Sequence, residues 1–190
     1  MTEKIVVIGT SAGGLAALQI LLPGLPVEFP CPVAVVQHRG KEAGTGLCDF
    51  LQRSSRLPVS EPEDKEPIAP GRIYLAPRDY HLLIEERHFA LSTEAPVSYA
   101  RPSIDVLFES AADAYGKNVI GVILTGKNRD GARGLATIKR HGGLALIEEP
   151  ATAQAREMPE AALAATDVDG VLPLAEIASF LKALFQAAAR

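Results

Sequence analysis

Apolar residues in this chain cluster in two rhythms. Five short runs rich in β-branched side chains, at 4–9 (KIVVIG), 32–37 (PVAVVQ), 72–76 (RIYLA), 119–124 (VIGVIL) and 144–147 (LALI), are set off by glycine, proline or polar residues. Continuous apolar runs of that length predict strands covered on both faces. Longer stretches of helical period lie between them. Residues 13–22 carry a stripe of Leu15, Leu18 and Leu22 closed by Pro23-Gly24, and 46–54 predicts a second helix. Residues 103–115 place Ile104, Leu107, Phe108 and Ala111 at i, i+3, i+4 and i+7, the spacing of one helix face. A turn at 125–131, a helix running to His141 and two Ala- and Leu-rich helices around 159–165 and 174–188 complete the series. Strand and helix in alternation mark βαβ units around a parallel sheet, so an α/β fold is predicted.

The rhythm breaks twice. Residues 57–71 carry four prolines and a cluster of charges, which predicts a loop with one short strand at its start. Residues 80–85 and His88–Ser92 predict an antiparallel hairpin turning at Glu86-Arg87, placed at an edge of the sheet. The chain shows no internal repeat and no low-complexity tract, and 190 residues suit a single domain, 1–190, around one core.

Composition removes several functions from consideration. With 47% hydrophobic and 22% charged residues the chain is ordinary globular protein, far from the disordered and membrane classes. A net charge of −4 gives no general attraction to phosphate backbones or anionic lipid, which argues against nucleic acid as a partner. Cys31 and Cys48 stand 17 positions apart without a CxxC pair, so they are read as reduced thiols and no metal site is expected. The opening MTEK runs into the apolar residues 5–8 and then a glycine turn, too short for a signal segment. No apolar run approaches the roughly eighteen residues of a membrane span. The cytoplasm is the expected location.

Three polar residues then stand out, each just past the end of a predicted strand. Ser11 lies in GTSAGG between the first strand and first helix, at the carboxyl edge where open α/β sheets place their active sites. Glycines there permit a sharp turn, and unpaired N–H groups of the first helical turn would face an oxyanion formed beside the serine. The same loop also fits a phosphate-binding turn, although GxGxxG would need glycine in place of Ser11 and the second strand ends in histidine instead of an acid. His38, in QHRG, ends that second strand. Adjacent strands lie about 5 Å apart, so its imidazole would reach the serine as general base; a structural histidine is the alternative. Asp130, in LTGKNRDGARG, precedes a helix and is either an N-cap or the carboxylate that orients the imidazole. The order Ser, His, Asp matches none of the familiar hydrolase orders, and no GxSxG elbow is present.

Several motifs together resemble one known family, the catalytic domain of the chemotaxis protein-glutamate methylesterases called CheB. They are IGTSAGG, the VVQH strand end, YLAPRDYHLLI, RPSIDVLFESAA, GVILTG followed by DGARG, and MPEAAL, in the family's order from about Lys4 to Leu184. The resemblance implies a doubly wound, mostly parallel sheet and a triad of Ser11, His38 and Asp130. It implies backbone oxyanion donors at Ala12 and Lys127, and substrate-binding roles for Arg101 and Ser103, though an Arg-Pro-Ser helix start is equally ordinary capping. Asp105 lies in the same stretch; His81 is read as structural, and His88 and His141 as surface residues. The implied reaction is hydrolysis of glutamate methyl esters, with deamidation of particular glutamines, on cytoplasmic helices of a methylated chemoreceptor, without a cofactor. A single catalytic domain without a phosphorylatable receiver domain before Lys4 is expected.

Three departures accompany the likeness. The family stretch LTGMGxDG has Lys127 and Asn128 in place of its Met and second Gly, and Glu157 replaces a glycine before Met158-Pro159. Asn128 is expected to keep the turn because asparagine tolerates left-handed backbone. The competing readings are an esterase for a different substrate and a non-catalytic receptor-binding module of the same fold.

Overall fold

The computed structural model describes residues 4–39 and 46–187. Gly40 of the QHRG turn, most of the MTEK opening and Ala188, the predicted end of the last helix, lie outside the described residues. Seven strands form one sheet: β1 (Ile5–Thr10), β2 (Val33–Gln37), β3 (Val59–Ser60), β4 (Ile73–Leu75), β7 (Val119–Ile123), β8 (Leu144–Glu148) and β9 (Gly170–Leu172). Their order is β3-β4-β2-β1-β7-β8-β9, and every pairing is parallel. From β1 the chain steps to β2 on one side, and β7 returns to its other side. The order thus reverses between β1 and β7, and the carboxyl ends of strands at such a switch point are the usual binding place in these sheets.

Six helices cover the two faces: α1 (Gly14–Leu21), α2 (Leu47–Gln52), α3 (Ile104–Tyr115), α4 (Ala132–Arg140), α5 (Glu157–Ala165) and α6 (Leu174–Ala187). Alternate strand residues point to opposite faces, so one run of apolar residues feeds two cores. Ile5 and Val7 pack with Leu107 and Phe108 of α3, Leu135 and Ile138 of α4, and Met158 of α5. Val6 and Ile8 pack with Leu18 and Leu21 of α1, Leu51 of α2, and Ile177 and Leu181 of α6. The sheet is doubly wound, with three helices on each side.

Two placements differ from the sequence reading. The hairpin β5 (His81–Glu85) and β6 (His88–Ser92) is a separate two-stranded sheet instead of an edge of the main one. Leu82, Ile84 and Phe89 bury against the α3 core, and Ile84 N–H donates to Ser110 Oγ on α3 (3.0 Å). Strand β9 was not expected: three residues of intermediate or exposed character leave almost no apolar pattern. The short strand at the start of the proline-rich loop is present as β3. Cys31 and Cys48 are free, and burial pushes the Cys31 thiol up to about 12. Among the described residues no helix is long and apolar enough to cross a membrane.

Candidate active site

Strand register brings Ser11 to His38. The last β1–β2 pair is Thr10 with Gln37, and His38 N–H donates to the Thr10 carbonyl (3.0 Å), so the residues one step beyond each strand are neighbours. The Gln37 amide fastens them, donating to the carbonyls of Ser11 (3.0 Å) and His38 (2.7 Å). Among the described residues Ser11 Oγ has no hydrogen-bond partner, and the residue is half-buried.

Asp130 arrives from the loop after β7 and is fully buried. Its Oδ2 lies 2.7 Å from His38 Nε2. The same carboxylate accepts the N–H groups of Ile104 (2.7 Å) and Asp105 (3.0 Å) and the Ser103 hydroxyl (2.8 Å). Asp130 thus caps a helix, but the helix is α3, not the α4 that follows it. Burial works to raise its carboxyl, yet hydrogen bonds from His38, Ile104 and Asp105 outweigh it and hold the group below the usual carboxylate range. One carboxylate thus both faces the imidazole and caps a helix.

The favour is returned. Asp105, in the first turn of α3, accepts the N–H groups of Gly131 (2.9 Å) and Gly134 (2.8 Å) and closes the start of α4. Burial pushes the Asp105 carboxyl up, and the nearby Asp130 charge adds to this against the two N–H bonds and Arg133. The helices can exchange caps because they touch at Gly134: a Cβ there would stand 2.5 Å from Phe108 Cβ and 3.1 Å from the Asp105 backbone.

Two backbone donors in the loops after β1 and β7 lack partners among the described residues. Neither Ala12 N–H nor Lys127 N–H makes a hydrogen bond among the described residues. Thr125 holds their loops together: its carbonyl accepts from Ser11 N–H (2.9 Å) and Thr10 Oγ1 (2.8 Å), while its hydroxyl donates to the Ala12 carbonyl (2.8 Å). Buried Glu148 accepts Thr125 N–H (2.8 Å), with its carboxyl pushed up by burial. Gly126 is bracketed by Ala155 and Met158 through backbone bonds of 3.0 and 2.9 Å. A Cβ at Gly126 would meet Met158 Cε at 2.5 Å, Sδ at 2.8 Å and Cβ at 3.0 Å, so a side chain there must push either Met158 or the loop that carries the following N–H.

Both predicted substrate-binding side chains are engaged by other residues of the protein. Ser103 is fully buried, and its hydroxyl is spent on Asp130. Arg101 binds Asp79 through Nε (3.1 Å) and Nη2 (2.8 Å), and the carbonyls of Thr93 (2.6 Å) and Glu94 (2.9 Å) through Nη1. It ties the hairpin to the start of α3. His81 is structural as read, accepting Ser103 N–H at Nδ1 (3.2 Å) and facing the Ala95 carbonyl at Nε2 (3.1 Å).

The family model described as CheB methylesterase matches residues 6–181. The chain belongs to this family. A relative from Leptospira interrogans is 46% identical over 187 residues, 98% of this chain and 97% of its own length. Protein-glutamate methylesterase/protein-glutamine glutaminase 2 of Anaeromyxobacter dehalogenans is 45% identical over 95% of this chain and 53% of its own length. The chain spans about half of that longer relative. The crystal structure of the Thermotoga maritima CheB methylesterase catalytic domain is 36% identical, with a TM-score of 0.93 over 97% of this chain and 100% of that one.

The departures from the CheB pattern can now be placed. The Lys127 side chain is exposed beside the site, and Glu157 is exposed at the first residue of α5. Asn128 does not adopt left-handed backbone, contrary to expectation. Its side chain makes the turn instead: Oδ1 accepts Asp130 N–H (3.1 Å) and Nδ2 lies 3.2 Å from His38 Nδ1. The sequence reading missed this contact, although asparagine two residues before a fixed aspartate is a recognisable side-chain turn.

Proposed function

We propose that the chain is a serine hydrolase that removes methyl groups from glutamate side chains of a methylated chemoreceptor and deamidates particular glutamines there. The observation that carries this reading is the 2.7 Å contact of His38 Nε2 with buried Asp130 one register step from Ser11. An ionised carboxylate only accepts hydrogen bonds, so Nε2 carries the ring proton and Nδ1 is the base. Ser11 Oγ attacks the ester carbonyl as Nδ1 takes its proton. Asp130 stabilises the imidazolium without being protonated itself. Ala12 and Lys127 N–H groups hold the oxyanion, each worth about 3 kcal/mol in the transition state. The imidazolium then protonates departing methanol, and water activated at the same nitrogen releases the carboxylate.

Residues 1–190 act in this reading as one catalytic unit, working in the cytoplasm on receptor helices presented there. The names of the longer relatives and the likeness of fold support the ester and amide chemistry. Methanol release from methylated receptor fragments is the test. Wild-type protein should release it, and Ser11→Ala should lower the rate by about 10⁴-fold or more. Unchanged turnover in Ser11→Ala would remove the triad; turnover of small esters with none of receptor fragments would point to another substrate.

A further inference from the structure

We propose that Asn128 is a positioning residue that occupies the base nitrogen of His38 in competition with Ser11 and so restrains the reaction. The inference rests on reading Ser11 and His38 as nucleophile and base. The amide orientation is fixed by its other end. Oδ1 must be the atom facing Asp130 N–H at 3.1 Å, because an NH₂ there would set donor against donor. Nδ2 therefore faces His38 Nδ1 at 3.2 Å. With Nε2–H given to Asp130 at 2.7 Å, Nδ1 of the neutral ring carries the lone pair, and Asn128 donates to it.

One lone pair then has two suitors. Ser11 Oγ–H must reach Nδ1 to lose its proton, yet Oγ has no hydrogen-bond partner among the described residues while the Asn128 amide holds that nitrogen. The clamp is short: the residue whose backbone anchors the amide, Asp130, also grips the far side of the imidazole. Once Nδ1 takes a proton it becomes a donor facing the NH₂ donor of Asn128. The amide must swing away, and doing so breaks its bond to Asp130 N–H. Asn128 therefore opposes the proton transfer while leaving substrate binding alone. Glycine, the residue of the family pattern at this position, imposes no such competition.

A merely structural turn residue predicts the opposite behaviour, which makes two substitutions decisive. Asn128→Gly removes the competing donor. Asn128→Asp keeps an acceptor for Asp130 N–H but sets a carboxylate against Nδ1, drawing the ring proton to the nitrogen that must accept one. The rate of Ser11 labelling by a fluorophosphonate probe is measured for each protein, with kcat and KM for methanol release. We expect Asn128→Gly to label about fivefold faster, the worth of one neutral hydrogen bond, and to raise kcat similarly at unchanged KM. We expect Asn128→Asp to label at least about tenfold more slowly. Asn128→Gly equal to or slower than wild type, or Asn128→Asp equal to wild type, overturns the proposal. If thermal unfolding shows Asn128→Gly to be destabilised, Asn128→Ala replaces it under the same criteria. Labelling of neither wild type nor any variant removes the nucleophile reading and this inference together; a labelled wild type with unaffected variants removes only the inference.

Discussion

The loops beside Ser11 and the starts of α3 and α4 treat their backbone donors in opposite ways. Every helix begins with N–H groups that lack helical partners. At α3 and α4 these are met by buried carboxylates, Asp130 for one and Asp105 for the other. In the loop leading into α1, Ala12 N–H has no hydrogen-bond partner among the described residues, nor has Lys127 N–H in the loop after β7. Saturated donors fix the helix starts that hold Asp130 in place. Unsaturated donors in the loops beside Ser11 are, in the proposed reaction, the ones that receive the developing negative charge. The contrast separates residues that hold the site from residues that act in it.

Substitution at Asp130 joins both halves of the contrast and should have the largest effect. Asp130→Ala is expected to lower turnover about 10⁴-fold and to destabilise the fold by about 2–4 kcal/mol, because the Ile104 and Asp105 N–H groups lose their acceptor. Steady-state kinetics and urea unfolding measure the two; loss of stability with activity intact would mean that Asp130 only caps. Gly126→Ala tests the open side. A Cβ against Met158 should displace Lys127 N–H and lower kcat about 10²-fold for about 1 kcal/mol of stability. Equal activity would show that Lys127 N–H does not hold the oxyanion. Asp105→Ala should cost about 2–4 kcal/mol in urea unfolding, with turnover per folded molecule falling far less than for Asp130→Ala. Asp105→Asn should cost much less, since one oxygen, Oδ1, accepts both α4 bonds.

The smallest expected effect is a difference in sign with pH. The Asp130 carboxyl is depressed in the folded state, so its stabilising contribution is present above the unfolded value of about 3.9 and is lost as pH falls through the folded one. Asp105 is raised, so its contribution is present below the unfolded value and is lost as pH rises through the folded one. Urea midpoints across this range should therefore rise with pH more steeply in Asp105→Asn than in wild type. An identical slope would show that Asp105 does not titrate as stated.

What the sequence revealed follows the range over which each interaction acts. Strands β1, β2, β7 and β8 are continuous apolar runs, so their burial was legible from composition alone. β9 was not, because three half-exposed residues acquire strand geometry only by pairing with β8. The hairpin was legible as a hairpin; its seat on α3 depends on Leu82 and Phe89 meeting helix residues distant in sequence. Ser11 and His38 stood out as candidates because each lies one step past a strand and parallel strands share an edge, and Asp130 because it lies in the loop after a third. For Ser103 and Arg101 the motif carried proximity without direction, since nearness to a site does not say which way a side chain points, and theirs bond Asp130 and Asp79. The exchange of caps was invisible, since an aspartate before a helix is expected to cap that helix and not one whose first turn lies 26 residues earlier.

Because α3 and α4 are each closed by a carboxylate rooted in the other's first turn or the loop before it, neither can fray by itself. Loosening the first turn of one withdraws the acceptor from the second. Amide protons at Ile104, Asp105, Gly131 and Gly134 should consequently exchange with solvent deuterium through a common opening event. This side of the sheet behaves as a single cooperative block on which the imidazole of His38 rests.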